Sequence, residues 1–188
     1  TALWLIHESG VDKPALRFAF ANTHHEDKLT YDYIRMLSDK FVSWGAPAIT
    51  WLEPERGFLE LAKWKQRFPS RKARFCTQHL KVIPTRKDVE QLQMAGYDVI
   101  MYAGTRREES RDREALQPES FEDGFGAIVR RPVLAWTTEQ VFAYAERWGV
   151  PHNPLYDLGA VRVGCFPCIN SNKGELREIS KYRPERID

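Results

Sequence analysis

Three short, mostly apolar runs set the first limit on this chain: Leu16 to Ala21, Ala48 to Leu52, and Asp98 to Ala103. Between them lie stretches whose apolar residues recur every three or four positions. Tyr31, Ile34, Leu37 and Phe41 form one such face, and Val89, Leu92 and Ala95 another. Strand-like runs alternating with helix-period segments over short links specify an α/β fold with a largely parallel sheet. Further helices are predicted over Thr1 to Glu8, closed by Gly10, over Phe58 to Phe68 with Leu61 and Trp64 on one face, from Pro84 to Gly96, and over Thr137 to Trp148. The last begins with capping-box spacing, Thr137 to Gln140, and is stopped by Gly149 and Pro151. Ala127 to Val129 is a further strand candidate. The acidic stretch from Gln117 to Gly126 reads as a mobile loop near the site.

The bulk composition suits one domain with a full core: 188 residues, 43% hydrophobic and 29% charged. A net charge of +2 does not announce a nucleic-acid binder. No apolar run approaches the roughly 20 residues of a membrane span, and no secretory signal is visible. Three cysteines are an odd count for a disulfide scaffold and point to a reducing cytoplasm. The chain opens at Thr1 directly on Ala2-Leu3-Trp4-Leu5-Ile6, as though trimmed just inside a helix.

In parallel sheets ligands bind beyond the carboxyl ends of the strands, so the residues after each strand carry the functional expectation. After the first strand come Asn22-Thr23-His24-His25-Glu26-Asp27. The histidines and carboxylates are metal-type donors, but adjacent loop side chains rarely converge; substrate contact, or capping of the next helix by Thr23, is the stronger reading. After the clearest strand come Gly104-Thr105-Arg106-Arg107-Glu108-Glu109-Ser110, with Arg111 and Arg113 following. Guanidinium forks suit phosphate or sulfate oxygens, while the interleaved carboxylates equally suit a solvated, ion-paired helix start.

All three cysteines lie in motif-like segments: Cys76 in Arg74-Phe75-Cys76-Thr77 with Leu80-Lys81, and Cys165 and Cys168 in Gly164-Cys165-Phe166-Pro167-Cys168. Four readings stay open. They are buried thiols with a chance Cys-x-x-Cys, a redox dithiol, a zinc site completed by His79 or His152, and an iron–sulfur cluster that leaves one iron without a protein ligand. The preceding span, Val150 to Gly159, holds two prolines and a glycine and prescribes a defined path delivering Tyr156, Asp157 and Arg162.

Together Asn22-Thr23, Arg74 to Thr77 with Leu80-Lys81, Gly104 to Ser110, Pro132 to Trp136, and Pro151 to Cys168 resemble the phosphoadenosine phosphosulfate (PAPS) reductase family of the adenine nucleotide alpha-hydrolase-like, or PP-loop ATP pyrophosphatase, superfamily. The resemblance implies one domain over 1–188, with 150–188 as a C-terminal Cys-x-x-Cys loop and tail. It implies a Rossmann-like parallel sheet flanked by helices, here without the family's first strand and phosphate loop, since Thr1-Ala2-Leu3 looks like the residues just after that loop. It implies an enzyme that uses ATP or PAPS in sulfur chemistry. Asn22, Thr23, Gly104, Arg106, Arg107 and Ser110 would meet the nucleotide, with Arg106, Arg107 and Cys76 catalytic. Cys76, Cys165 and Cys168 would hold a [4Fe–4S] cluster, or zinc in the alternative. Sulfonucleotide reductases attack sulfur with a C-terminal Glu-Cys-Gly-Leu-His cysteine, which this chain lacks. The likeness is therefore better to the Dnd-type subgroup, which implies ATP-driven thiolation, a sulfur donor such as a cysteine desulfurase, and a nucleic-acid acceptor. Sulfonucleotide reduction and a zinc-stabilised, non-catalytic binding module are the alternative functions.

Overall fold

Phe18 to Ala21 forms β1, which pairs in parallel with β2 (Ile49–Leu52), Phe18 opposite Ile49 and Ala21 opposite Leu52. Parallel neighbours need a crossover, and α2 (Lys28–Ser43) supplies it. The computed structural model describes residues 1–186, so the last two positions of the expected domain lie outside the described residues. Asp27, not Thr23, caps α2: its Oδ1 accepts the Leu29 N–H at 2.9 Å. Thr23 lies one turn too early, and its hydroxyl is committed elsewhere.

Helix α1 (Ala2–His7) packs Leu5 and Ile6 against Leu16, Phe18, Phe41 and Ala46 to make one apolar cluster. Burial of each large side chain there contributes about 1.5–3 kcal/mol. The segment after β2 forms α3 (Phe58–Trp64), shorter than expected because Gln66 takes a left-handed conformation (φ 52°) and Pro69 follows. Leu61 is buried on α3, but Trp64 faces solvent.

The helix expected to open at Pro84 starts earlier. The chain is helical from α4 (Phe75–Thr77) through a five-residue π turn (Gln78–Val82) into α5 (Ile83–Met94). Pro84 has no N–H to donate and its ring crowds the carbonyl four residues back, so a widened turn just before it relieves the clash.

A second sheet holds β3 (Ile100–Tyr102) parallel to β5 (Ala127–Arg130), with β4 (Glu119–Glu122) antiparallel on the far side of β5. The short helix α6 (Arg111–Glu114) lies between β3 and β4. The expected loop from Gln117 to Gly126 is thus a strand and a hairpin turn. Glu122 O accepts from both Phe125 N and Gly126 N, and Gly126 supplies the left-handed backbone (φ 68°). Glu119 pairs with Arg130 and Glu122 with Arg131, so the acidic residues serve the sheet edge. Tyr102 of β3 packs onto the first apolar cluster.

Helix α7 (Thr138–Arg147) has the predicted Thr137–Gln140 box, with bonds of 2.9 and 3.3 Å. Helix α8 (Lys173–Tyr182) was not anticipated, although Asn172 and Glu175 form a capping box at 2.9 Å in each direction. No helix among the described residues is long and apolar enough to cross a membrane.

Candidate functional site

The turn after β1 is the anchor of the site. Asn22 continues the sheet, its N–H donating to Leu52 O at 3.0 Å, and its Nδ2 donates to both Glu53 carboxylate oxygens at 3.0 and 3.1 Å. Thr23 is fully buried; its Oγ1 donates to Glu26 Oε1 at 2.7 Å and its N–H to Oε2 at 3.3 Å. Glu26 is itself buried and accepts a further bond from Tyr31 at 3.1 Å. A carboxylate this deep needs several donors, and this one has them.

The same turn clamps the C-terminal segment at three points. His25 O accepts the Phe166 N–H at 2.7 Å, Thr23 Oγ1 lies 3.4 Å from Cys165 Sγ, and Asp27 Oδ2 accepts from Arg183 Nε at 2.9 Å. Phe166, between the two cysteines of the pair, is buried with Leu155 and Ile179 in a separate apolar cluster. Gly159 turns with φ 86° and leaves room for Glu178 of α8, whose Cγ would be 3.4 Å from a β-carbon there.

A cavity of about 340 Å³ opens between these parts. Cys76, Cys165 and Cys168 all line it, with Arg74 and Lys81 from the helical run, Arg113 from α6, and Arg162 and Arg183 from the C-terminal segment. Cys76 also packs on the Phe58–Leu61–Leu80 cluster. Burial pushes the Cys165 thiol up from its ordinary value; Lys81 and the Thr23 hydroxyl oppose that shift, and Glu26 and Cys168 add to it. Burial pulls Arg113 below the usual guanidinium value, and repulsion from Arg162, Arg106 and Arg74 adds to it. These four arginines share one electrostatic neighbourhood, in which Glu109 pairs with both Arg106 and Arg113, while Arg74 and Arg162 make no ion pair among the described residues.

The donor set bears on what the cysteines could hold. Among the described residues no group of three or more His, Cys, Asp or Glu side chains is placed to hold a single metal ion. Neither His79 nor His152 lines the cysteine cavity: His79 meets the Trp64 edge, and His152 Nε2 lies 2.8 Å from Asp157. The three thiols share one cavity lining with Arg74, Lys81 and Arg162.

The other anticipated residues divide. His24 pairs with Glu53 and His25 stacks on Phe58 (4.3 Å), so the two histidines diverge. Gly104, Arg107 and Ser110 are exposed beyond β3. Arg106 is mostly covered and bonds Thr138 at 3.1 Å and Glu108 at 2.9 Å. None of these four lines the cysteine cavity, whereas Arg113 does. A second cavity of about 450 Å³ lies against Phe20, Tyr33, Phe142 and Tyr156 and shares Lys81, Val163 and Gly164 with the first. Sequence reasoning missed Arg183; its only local signal was a basic residue at the end of an amphipathic helix.

Comparison with known proteins accords with this arrangement. The model of the phosphoadenosine phosphosulfate reductase domain matches residues 2–171. An uncharacterized 37.8 kDa protein of Escherichia phage 186 is 46% identical over 146 residues, covering 76% of this chain and 44% of the phage protein. The chain thus spans less than half of that relative's length. An adenosine 5′-phosphosulfate reductase from Bacillus mycoides is 26% identical over 87% of this chain and 67% of its own length. One from Geobacillus kaustophilus is 29% identical over 83% and 63%. The crystal structure of a PAPS reductase from Candida auris, a phosphate complex, superposes with a TM-score of 0.62 at 25% identity, covering 88% of this chain and 76% of that one. With a domain match running from α1 to the Cys-x-x-Cys segment, the chain belongs to the phosphoadenosine phosphosulfate reductase domain family.

Proposed function

We infer that this chain is an enzyme of adenine-nucleotide-dependent sulfur chemistry, with the sulfur handled in the cysteine cavity. The observation that carries this reading is the convergence of three thiols and a cluster of cations on one cavity. In this reading the nucleotide would lie beyond the carboxyl ends of β1 and β3, near Gly104, Arg106, Arg107 and Ser110 and near the turn of Asn22 and Thr23. Arg106 and Arg107 hold phosphate or sulfate oxygens there, and Arg162 presents positive charge from the cavity side, where Arg113 is held by Glu109.

Cys76, Cys165 and Cys168 would hold a [4Fe–4S] cluster. Bound, such a cluster supplies an iron without a protein ligand, open to sulfide or substrate. The protein's own part is to orient Cys165 through Thr23, to offset thiolate charge with Lys81, Arg74 and Arg162, and to close the cavity with α8. The likeness of the Arg74 to Lys81 and Gly164 to Cys168 segments to the Dnd-type subgroup favours ATP-driven thiolation, with a cysteine desulfurase as sulfur donor, over reduction. Sulfonucleotide reduction is the second reading, supported by the names of the Bacillus and Geobacillus relatives.

Anaerobic purification with a visible spectrum and iron and sulfide analysis tests the cluster. A brown protein that bleaches in Cys76→Ala supports it, and a colourless protein after anaerobic reconstitution overturns it. Pyrophosphate release from ATP supports thiolation, and sulfite release from PAPS or its 3′-dephospho analogue with a dithiol supports reduction. Neither release from the reconstituted protein would sink the nucleotide reading.

A further inference from the structure

Between Leu61 and Phe75 stand six cations, Lys63, Lys65, Arg67, Arg71, Lys72 and Arg74, and no carboxylate. The whole chain carries only +2, so the remainder is net acidic and the total conceals a strongly polarised molecule. Elsewhere Arg17, Arg86, Arg130 and Lys181 each meet a carboxylate at 2.5–2.7 Å. Among the described residues none of the six makes an ion pair. Neighbouring cations left unneutralised repel one another, and a polyanion relieves that repulsion.

The backbone displays these charges. After α3 the chain reverses, and Ser70 and Ala73 bridge with N–H···O bonds of 3.2 and 3.0 Å, which puts Arg71 and Lys72 at the tip of a tight turn. Two aromatic side chains stand beside them: Phe68 is 69% exposed and Trp64 51%. Lys65 Nζ and the Arg56 guanidinium lie 4.2 and 4.8 Å from the Trp64 ring centre. Exposed rings amid unpaired cations are what a single strand of nucleic acid uses, bases on the rings and phosphates on the cations. An acidic protein or a duplex would need only the charges. Arg74, at the end of the strip, also lines the cysteine cavity.

We propose that the Lys63–Arg74 face binds single-stranded nucleic acid, with bases stacked on Phe68 and Trp64. At Trp64 an incoming base replaces Lys65, which is freed for phosphate, while Arg56 stays paired with Glu55. Binding needs none of the three cysteines and so stands apart from the sulfur chemistry.

The test is fluorescence anisotropy of the full chain with a labelled oligothymidine of about 20 nucleotides, a duplex of equal length, and polyglutamate as competitor. Affinity should fall steeply between about 50 and about 200 mM salt. Reversing charge at the turn tip with R71E and K72E should weaken binding at least about tenfold. Phe68→Ala should weaken it about fivefold at unchanged charge. Lys87→Glu, at an exposed position of α5, should leave affinity within about twofold. An absence of saturable binding at low salt overturns the proposal. So does a tighter duplex, an equal loss in Lys87→Glu, or polyglutamate competing equally while Phe68→Ala has no effect; that last outcome assigns the face to an acidic protein.

Discussion

Thr23 shows how one hydroxyl links core and site. It donates to buried Glu26 and touches Cys165. Thr23→Val keeps the shape and strips one donor from the carboxylate, so unfolding free energy should drop by about 1–2 kcal/mol in urea titration. His7 gives a pH-dependent counterpart. Its ring stacks on Trp148 at 3.6 Å, and its Nε2 is buried with no hydrogen-bond partner among the described residues. Burial, then Lys13, hold its pKa below the ordinary 6.5, with Glu8 in partial opposition. The unfolded chain therefore takes up the proton first as pH falls, and stability declines on acidification from about 6.5. His7→Phe should flatten that decline while preserving the stack, as read by urea midpoints on either side of that pH. At this scale the sequence made the cysteines and cavity arginines conspicuous through residue type. Glu26 and Asp27 looked like metal donors because adjacency in the chain says nothing of direction; the fold turns one toward Thr23 and the other toward Arg183.

At the scale of elements, α8 is held over the cavity by Ile179 in its apolar cluster and by the Arg183–Asp27 pair. Asp27 is almost fully buried while Arg183 retains some solvent. Arg183→Ala should therefore cost about 1–3 kcal/mol, below the range for a wholly buried pair. Hydrogen exchange of α8 should speed up, and Cys165 should alkylate faster as the cavity wall loosens. The strands after positions 16, 48 and 98 and helix α7 were legible because apolar runs and a capping box are local signals. Strand β4 was not, since a surface strand of Glu, Ser and Phe acquires its identity from pairing with β5, a contact that no window of sequence contains. The overextended α3 had a different cause: the backbone turns left-handed at Gln66, a break that the helical spacing of Leu61 and Trp64 does not record.

Across the whole molecule the cavity lies between two small apolar clusters, one built on Phe58, Leu61 and Leu80, the other on Leu155, Phe166 and Ile179. Leu80 is 1% exposed and sits on the same helical run as Cys76. Leu80→Ala should cost about 2–5 kcal/mol, and its effect should reach thiol reactivity as well as thermal stability, because the cluster it hollows is the bed of Cys76. The α/β architecture follows from periodicity, but the assembly of the site does not. Cys76 and the Cys165–Cys168 pair are almost ninety positions apart in the chain, and it is the turn after β1 that brings the later pair home.

The widened turn from Gln78 to Val82 has a further consequence. One extra residue in a helix rotates everything beyond it by about 100° relative to a regular α-helix. The face that α5 shows to the sheets and the face that Phe75 and Cys76 show to the cavity are thereby set independently, like two hands of a clock on separate gears. Deleting Gln78 would close the turn, swing Cys76 to a different bearing and press the Pro84 ring back on the preceding turn, so a chain one residue shorter would lose a wall of its cavity and some stability together.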